Sequence, residues 1–387
     1  MDKENEESLH VFVVGNDDSI LDFSSPLFKK VSSYTETLGR ITIMCRTRKV
    51  VSELPILRGP LTIYAVHAGN PLVFLIRVFV LGRRIIKTDF SGTRVITADN
   101  PFEEGLAAWF LARLSRVPLQ LQVHTDIMSP FFRSASWKEQ IRYRLARFLI
   151  TQADCIRVVS ERIRRSLMSN IKCQMSNVFV LPIWTDISKF LNARPQHHIE
   201  ERFRGYTFKM VAVGRFVDKE KNFSMLIDLM RDFVRVCPEA LLVLVGDGPD
   251  RENYKLQITN YKLENHVILE KVSYDRLPAY LKVFDLFLLS SNYEGWGRVV
   301  VEAMASGLPV VMTDVGLAGE VVRDGENGLV VPVGDKEVFV SALKELLCDA
   351  AKRARLKNAA IKTILSASPK TREEYNLLYK ESFYRCV

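Results

Sequence analysis

Two glutamates separated by seven residues, Glu294 and Glu302, occupy the segment of this chain whose residue types and spacing are best suited to chemistry. The segment reads SSNYEGWGRVVVEAMASGLPVV from Ser290 to Val311. Apolar residues before Ser290 predict a buried strand, and Gly295, Trp296 and Gly297 a two-glycine loop. A helix is predicted to start near Arg298 and to end at Gly307 and Pro309. Glycines let a ligand approach the backbone closely, and a helix start offers amide hydrogens and partial positive charge that suit a diphosphate. Glu302 falls one turn in, among Val299, Val300, Val301, Ala303, Met304 and Ala305. That pattern predicts a helix buried all round and a carboxylate in need of a partner. Because helical side chains lean toward the N-terminus, Glu302 is expected to point back at the loop. The competing readings are a solvated acid that favours the helix dipole for Glu302 and an ordinary loop charge for Glu294.

Gly214 and Arg215 follow the apolar run Lys209–Val213, with Lys221 six residues further on. Two cations at the carboxyl end of a strand can hold phosphate oxygens and stabilise a departing diphosphate. With Lys219 alongside, the same residues also read as a solvated basic loop. Gly246-Asp247-Gly248-Pro249 forms a turn after the strand Leu241–Val245. His124, in Val123-His124-Thr125-Asp126, directly follows another apolar strand, at the edge where ligands of parallel sheets bind. A lone histidine there is more often structural than catalytic.

The elements that must position these residues alternate along the whole chain. Short β-branched runs, such as His10–Val14, Arg40–Cys45, Gln120–Val123 and Leu286–Leu289, are separated by segments of helical period, including Phe102–Ser115 and Trp137–Thr151. This is the pattern of parallel sheets covered by helices, and its length suits two doubly wound domains. Leu181 to Glu201, with Pro182, Pro195 and a polar run, reads as the linker. The expected domains are residues 1–186 and 187–369, with a last helix over 370–387 returning to the first.

The run Glu-Gly-Trp-Gly-Arg-x3-Glu-Ala-Met-Ala-Ser-Gly-Leu-Pro-Val, with Glu294 and Glu302 as its Glu-x7-Glu, resembles the signature of glycosyltransferase family 4. The resemblance implies a GT-B fold, two Rossmann-like domains facing across a cleft. It also implies a retaining, metal-independent transfer from a UDP-sugar or GDP-sugar held by the second domain to an acceptor held by the first. It assigns Glu294 to sugar hydroxyls, Glu302 to the ribose, and Gly295, Trp296, Gly297 and Arg298 to the diphosphate and transferred sugar. Gly214, Arg215 and Lys221 are similar to the family's phosphate-neutralising pair, Gly246 to its turn beside the nucleotide, and His124 to a histidine near the transferred sugar. Glu320, after a glycine-rich loop, falls where the family has an acidic residue. The favoured account is front-face attack, in which the departing phosphate helps to deprotonate the acceptor. Two features depart from the pattern. Gly15-Asn16-Asp17-Asp18-Ser19 stands where the family has a Gly-Gly loop, and its acids would repel a phosphate. Leu181-Pro182-Ile183-Trp184 replaces the usual Asn-Gly.

No Asp-x-Asp pair occurs in the chain, so cations and helix amides are expected to act in place of a metal, and no cofactor is expected. Six widely spaced cysteines (45, 155, 173, 237, 348 and 386) read as reduced thiols in a cytosolic protein. The acidic start Met1–Glu7 is unlike a signal peptide, and Pro71–Gly82, broken by Arg77, is too short to span a bilayer. Residues 1–190 hold 26 Lys and Arg against 18 Asp and Glu, whereas the rest is nearly balanced. The basic half suggests an anionic partner, a lipid-linked acceptor or a membrane surface at the cytoplasmic face, and not nucleic acid. Its segment Trp137–Leu149 suits either a lipid interface or a helix packed through Ile141, Leu145 and Phe148. A non-catalytic nucleotide-sugar-binding subunit, and an epimerase or phosphorylase of the same plan, are the rival functions.

Overall fold

The computed structural model describes residues 9–49, 55–87, 92–171, 177–367 and 369–387. Cys173 and the acidic Met1–Glu7 segment lie outside them. The chain divides into two units, residues 1–182 with 369–387, and residues 183–368.

The first unit is built on eight strands, β1 (Leu9–Gly15), β2 (Arg40–Thr47), β3 (Ile56–Arg58), β4 (Leu61–His67), β5 (Thr93–Ala98), β6 (Leu119–Val123), β7 (Cys155–Val158) and β8 (Val178–Val180). Their order is β3-β4-β2-β1-β5-β6-β7-β8, and every pairing is parallel except β3 with β4. The second unit holds β9 (Phe208–Val213), β10 (Ala240–Val245), β11 (Val267–Glu270), β12 (Leu286–Leu289), β13 (Val310–Thr313) and β14 (Leu329–Val331), all parallel, ordered β11-β10-β9-β12-β13-β14. These are two Rossmann-like α/β sheets. In each, the chain fills one side and then reverses, so the topological switch points are β1/β5 and β9/β12. Ligands of such sheets bind at the carboxyl ends of the strands there.

Helix Arg372–Tyr384 closes the first unit. Arg372 donates to Ser33 Oγ at 3.1 Å, and the Asn376 amide to the Ser33 carbonyl at 3.1 Å. Its Tyr375 and Tyr379 reach a polar network under the sheet around buried Arg157, which donates to Gln122 Oε1 at 2.7 Å and to Tyr375 Oη at 2.8 Å. The Gln122 amide donates in turn to Tyr379 Oη at 2.9 Å.

Three expectations need correction. Cys155 and Cys386, 231 residues apart and expected as separate thiols, stand with their Cα atoms 5.0 Å apart, within disulfide reach; Cys45, Cys237 and Cys348 are free. The proximity arises because helix Arg372–Tyr384 ends beside β7, which no local spacing discloses. The segment read as a linker carries helices Ile187–Leu191 and His197–Arg202, whose Phe190 and Ile199 are buried and make it part of the second unit. Helix Trp137–Gln152 buries Ala146, Leu149 and Ile150, while Ile141 and Phe148 stay exposed. The packed stripe is therefore rotated from the one that Ile141, Leu145 and Phe148 would form.

Candidate functional site

The β9/β12 switch point gathers four charged side chains. After β9 and Gly214 the chain makes a short helix, Asp218–Lys221, and then turns at Asn222, whose φ of 51° reverses it into helix Phe223–Phe233. The loop after β12 is tied to that short helix. Ser290 Oγ donates to the Lys221 carbonyl at 2.7 Å, and the Asn292 amide N–H to the Glu220 carbonyl at 2.8 Å. These bonds bring Lys221 Nζ to 2.6 Å from Glu294 Oε1 and 3.0 Å from Glu220 Oε1. Glu294 also accepts from Ser291 Oγ at 2.8 Å, and Arg215 reaches Glu220 at 2.9 Å. Burial works against the Lys221 ammonium, but Glu294 and Glu220 outweigh it and hold its pKa above the ordinary value. At rest two cations face two carboxylates. Their four formal charges sum to zero.

Helix Arg298–Ala305 starts at Gly297, whose φ of 92° suits glycine and which supplies no side-chain cap to the first turn. Its loop lies close against the following turn: Leu317 N–H donates to the Trp296 carbonyl at 3.0 Å, and a Cβ on Gly316 would lie 2.5 Å from that oxygen. Trp296 itself is buried. Glu302 is 1% exposed and finds two partners, Arg298 Nε at 3.0 Å and Tyr274 Oη at 3.1 Å. Burial raises its pKa, with Arg298 and Tyr274 opposing. Arg298 stacks over the Tyr274 ring, so its guanidinium is folded onto Glu302 and the tyrosine. Gly246 has a steric reason of its own: a Cβ there would come within 1.9 Å of the Gly214 carbonyl oxygen.

His124 stands in the first unit at the end of β6. Its Nε2 lies 3.3 Å from Gln122 Oε1, an oxygen that can only accept, so Nε2 carries the hydrogen and Nδ1 is left as an acceptor. Burial, then Arg157 and Lys30, push its pKa down to about 3, so the ring is neutral at working pH. At the β1/β5 switch point a Cβ on Gly15 would meet Asp99 Oδ2 at 2.5 Å. The Asp99 pKa rises to about 6 through burial, helped by Glu104 and Asp17 against Lys30. This end of the sheet is acidic, as the Asp17-Asp18 sequence predicts.

A pH test follows for His124. Its folded pKa is depressed from 6.5, so the folded state resists a proton that the unfolded chain accepts. The neutral ring's contribution is complete above pH 6.5 and is lost as pH falls toward the folded pKa, whereas Asp99, raised to about 6, acts in the opposite sense. The stability difference between the wild type and His124→Gln should therefore shift by about 1.4 kcal/mol per pH unit between roughly pH 6 and 4, measured by urea unfolding. A pH-independent difference would show that the ring protonates in the folded state.

Sequence reasoning missed Tyr274 and Glu220. Tyr274 was findable as the aromatic residue four positions beyond β11, at the ligand-binding edge. Glu220, beside Lys221, carried no distinguishing signal. Among the described residues, no three His, Cys, Asp or Glu side chains gather as a metal ion would require.

Two parallel α/β sheets, the second with cations and carboxylates gathered at its switch point, define a pair of Rossmann-like domains of the GT-B class. The fold is that of the GT-B glycosyltransferases, and each half of the chain matches a glycosyltransferase family model. Residues 193–363 match the family Glycosyl transferases group 1, and residues 49–184 match Glycosyl transferase 4-like domain. Sucrose-phosphate synthase from Thermosynechococcus elongatus has the same fold, with a TM-score of 0.79 at 18% identity over 98% of this chain and 99% of that one. HepE of Anabaena, solved with UDP-glucose, gives 0.70 at 20% identity over 96% of each chain. The lipopolysaccharide core biosynthesis glycosyltransferase LpsE of Rhizobium meliloti is 35% identical over 156 residues, which span 40% of this chain and 44% of LpsE.

Proposed function

We propose that this chain is a retaining glycosyltransferase of the family 4 type, which moves a sugar from a UDP-sugar or GDP-sugar to a glycan or lipid-linked acceptor without a metal ion. The observation that carries the reading is Lys221 Nζ, 2.6 Å from Glu294 and 3.0 Å from Glu220 at the β9/β12 switch point. A donor diphosphate competes with both carboxylates for Lys221 and Arg215. Once Lys221 turns to phosphate, Glu294 is released to accept from sugar hydroxyls. The uncapped first turn after Gly297 adds positive potential to the same region, and together these groups stabilise the leaving diphosphate. Glu302, with Tyr274 beside it, takes the ribose hydroxyls. Gly214 and Gly246, which nearly touch, hold the loops at the nucleotide. Neutral His124 offers Nδ1 as an acceptor to a hydroxyl bound at the end of β6 in the first unit. The departing phosphate oxygen then takes the acceptor proton during front-face attack.

The residues 1–182 and 369–387 are proposed as the acceptor domain and 183–368 as the donor domain. No helix among the described residues is long and apolar enough to cross a membrane. We place the protein in the cytoplasm, in peripheral contact with an anionic membrane face. Screening UDP- and GDP-sugars by thermal shift, then following nucleoside diphosphate release with and without EDTA, tests the reading. A stabilising donor and EDTA-resistant turnover are expected. Strict dependence on Mg²⁺ or Mn²⁺ would contradict the metal-free step, and donor binding with no turnover would favour the non-catalytic subunit, which the acidic β1 end makes the second reading.

A further inference from the structure

Helices Pro71–Ile86, Glu103–Ser115 and Trp137–Gln152 pack in sequence, the middle one touching both neighbours. All three stand on one core of the first unit, to which Phe74, Val78, Ala107, Leu111 and Leu149 contribute. Packing on the same side of the sheet turns their opposite faces outward together. On the first helix, Leu72, Ile76 and Val80 recur every four residues and are 67%, 51% and 64% exposed. On the third, Trp137, Ile141 and Phe148 are 74%, 54% and 46% exposed, and the middle helix shows Phe110 and Leu114. Single exposed apolar residues are ordinary, but stripes on three adjacent helices mark a contact face.

Charge indicates what the face contacts. Arg77, Arg83 and Arg84 on the first helix, Arg113 on the second, and Arg144 and Arg147 on the third are exposed. The carboxylates of the three helices are withdrawn: Glu104 and Glu139 are buried, and Glu103 is held by Arg142 at 3.0 Å. Arg142 is thereby tied inward and is not one of the outward cations. Arg144 lines two adjoining clefts, one shared with Arg133, Ser134 and Gln140, the other with Arg147, Phe148 and Thr151. Arg133 and Arg147 both stack on Tyr143, at 5.3 and 5.6 Å, and Arg144, which lines both clefts, makes a third cation in the patch. A second copy of this chain would bring like charges together at such a face.

We propose that this face binds the surface of an anionic lipid bilayer, with the apolar stripes entering the acyl boundary and Arg133, Arg144 and Arg147 meeting lipid phosphates. The inference gives a site to the membrane contact proposed above, and its test needs no glycosyl transfer. The full chain is floated with vesicles of phosphatidylcholine alone or with added phosphatidylglycerol, while Trp137 emission is followed. Binding to the anionic vesicles only, weakened by salt, with a blue shift that is lost in Trp137→Phe, is expected. Each cation near the surface is worth about fivefold in partition, so Arg144→Ser with Arg147→Ser should weaken binding about 30-fold. Ile76→Ser, on the first helix and not on the third, which carries Arg144 and Arg147, should weaken binding as well; circular dichroism confirms that each variant folds. No binding to anionic vesicles at low salt, unchanged binding in the arginine double variant, or a dimer dispersed by Ile76→Ser in a chain that ignores vesicles would each overturn the proposal. Vesicle binding by a chain that takes no nucleotide sugar would uphold the face and refute the catalytic reading.

Discussion

Replacing Lys221 with alanine should lower turnover by about 10²–10³-fold, the range for losing one preorganised group that stabilises developing charge. The lysine is the least exposed cation of the cluster and the one placed between both carboxylates. Arg215, two-thirds exposed and paired with Glu220 but not with Glu294, is screened by water and is a weaker substitute for the buried lysine. The same substitution should destabilise the second unit by about 2–3 kcal/mol, less than an interior ion pair costs because water still reaches the edge of the site. Adding Glu294→Gln should restore much of that stability and none of the turnover. Transfer kinetics and urea melts separate the two effects. A Lys221→Ala enzyme within about threefold of the wild-type kcat/KM would remove the lysine from the path of the leaving group.

The second large effect is expected at Glu302. In Glu302→Ala the ribose loses a charged acceptor in a dry pocket, so donor affinity should fall by about 10- to 150-fold, equivalent to about 1.5–3 kcal/mol. Glu302 also organises Arg298 and Tyr274, so part of any loss could come from their release. Tyr274→Phe, which removes the 3.1 Å hydrogen bond and keeps the ring under Arg298, isolates that part and should cost less. Calorimetry with the donor and with its nucleoside measures both. Equal affinities in wild type and Glu302→Ala would sink the ribose assignment, and equal losses for diphosphate and nucleoside would agree with it, since the phosphates are assigned in the proposal to Lys221 and Arg215.

The legible part of the fold was the part governed by local patterns. His10–Val14 and Gln120–Val123 were readable from β-branched runs and are extended by one residue or two as β1 and β6. Trp137–Thr151 was readable from its helical period and begins behind Ser136, whose side chain caps Glu139 N–H. Strands β3, β8 and β14 escaped because each has three residues, too few for a period to show. The failure at Ile141 and Phe148 has a different cause. A helix that mixes cations and apolar residues all round offers several stripes of similar quality, and which one is buried depends on what packs against it.

The same division holds at the site. Glu302 was readable as buried because its neighbours on the helix are apolar, and the start of that helix at Arg298 because Gly297 precedes it, both consequences of residues within two turns. The partner of each acid was not readable. Glu294 meets a lysine 73 residues earlier in the chain, because strand order places β12 beside β9. Glu302 meets a tyrosine 28 residues earlier, in the loop beyond β11. The sequence by itself determined two α/β units, the glycine loop, and the acids and cations available for chemistry. Only the tertiary structure decided which charges neutralise one another, which cysteines come within reach, and which helix faces remain uncovered. Those outcomes depend on crossovers between distant strands, whose geometry leaves no trace in the spacing of neighbouring residues.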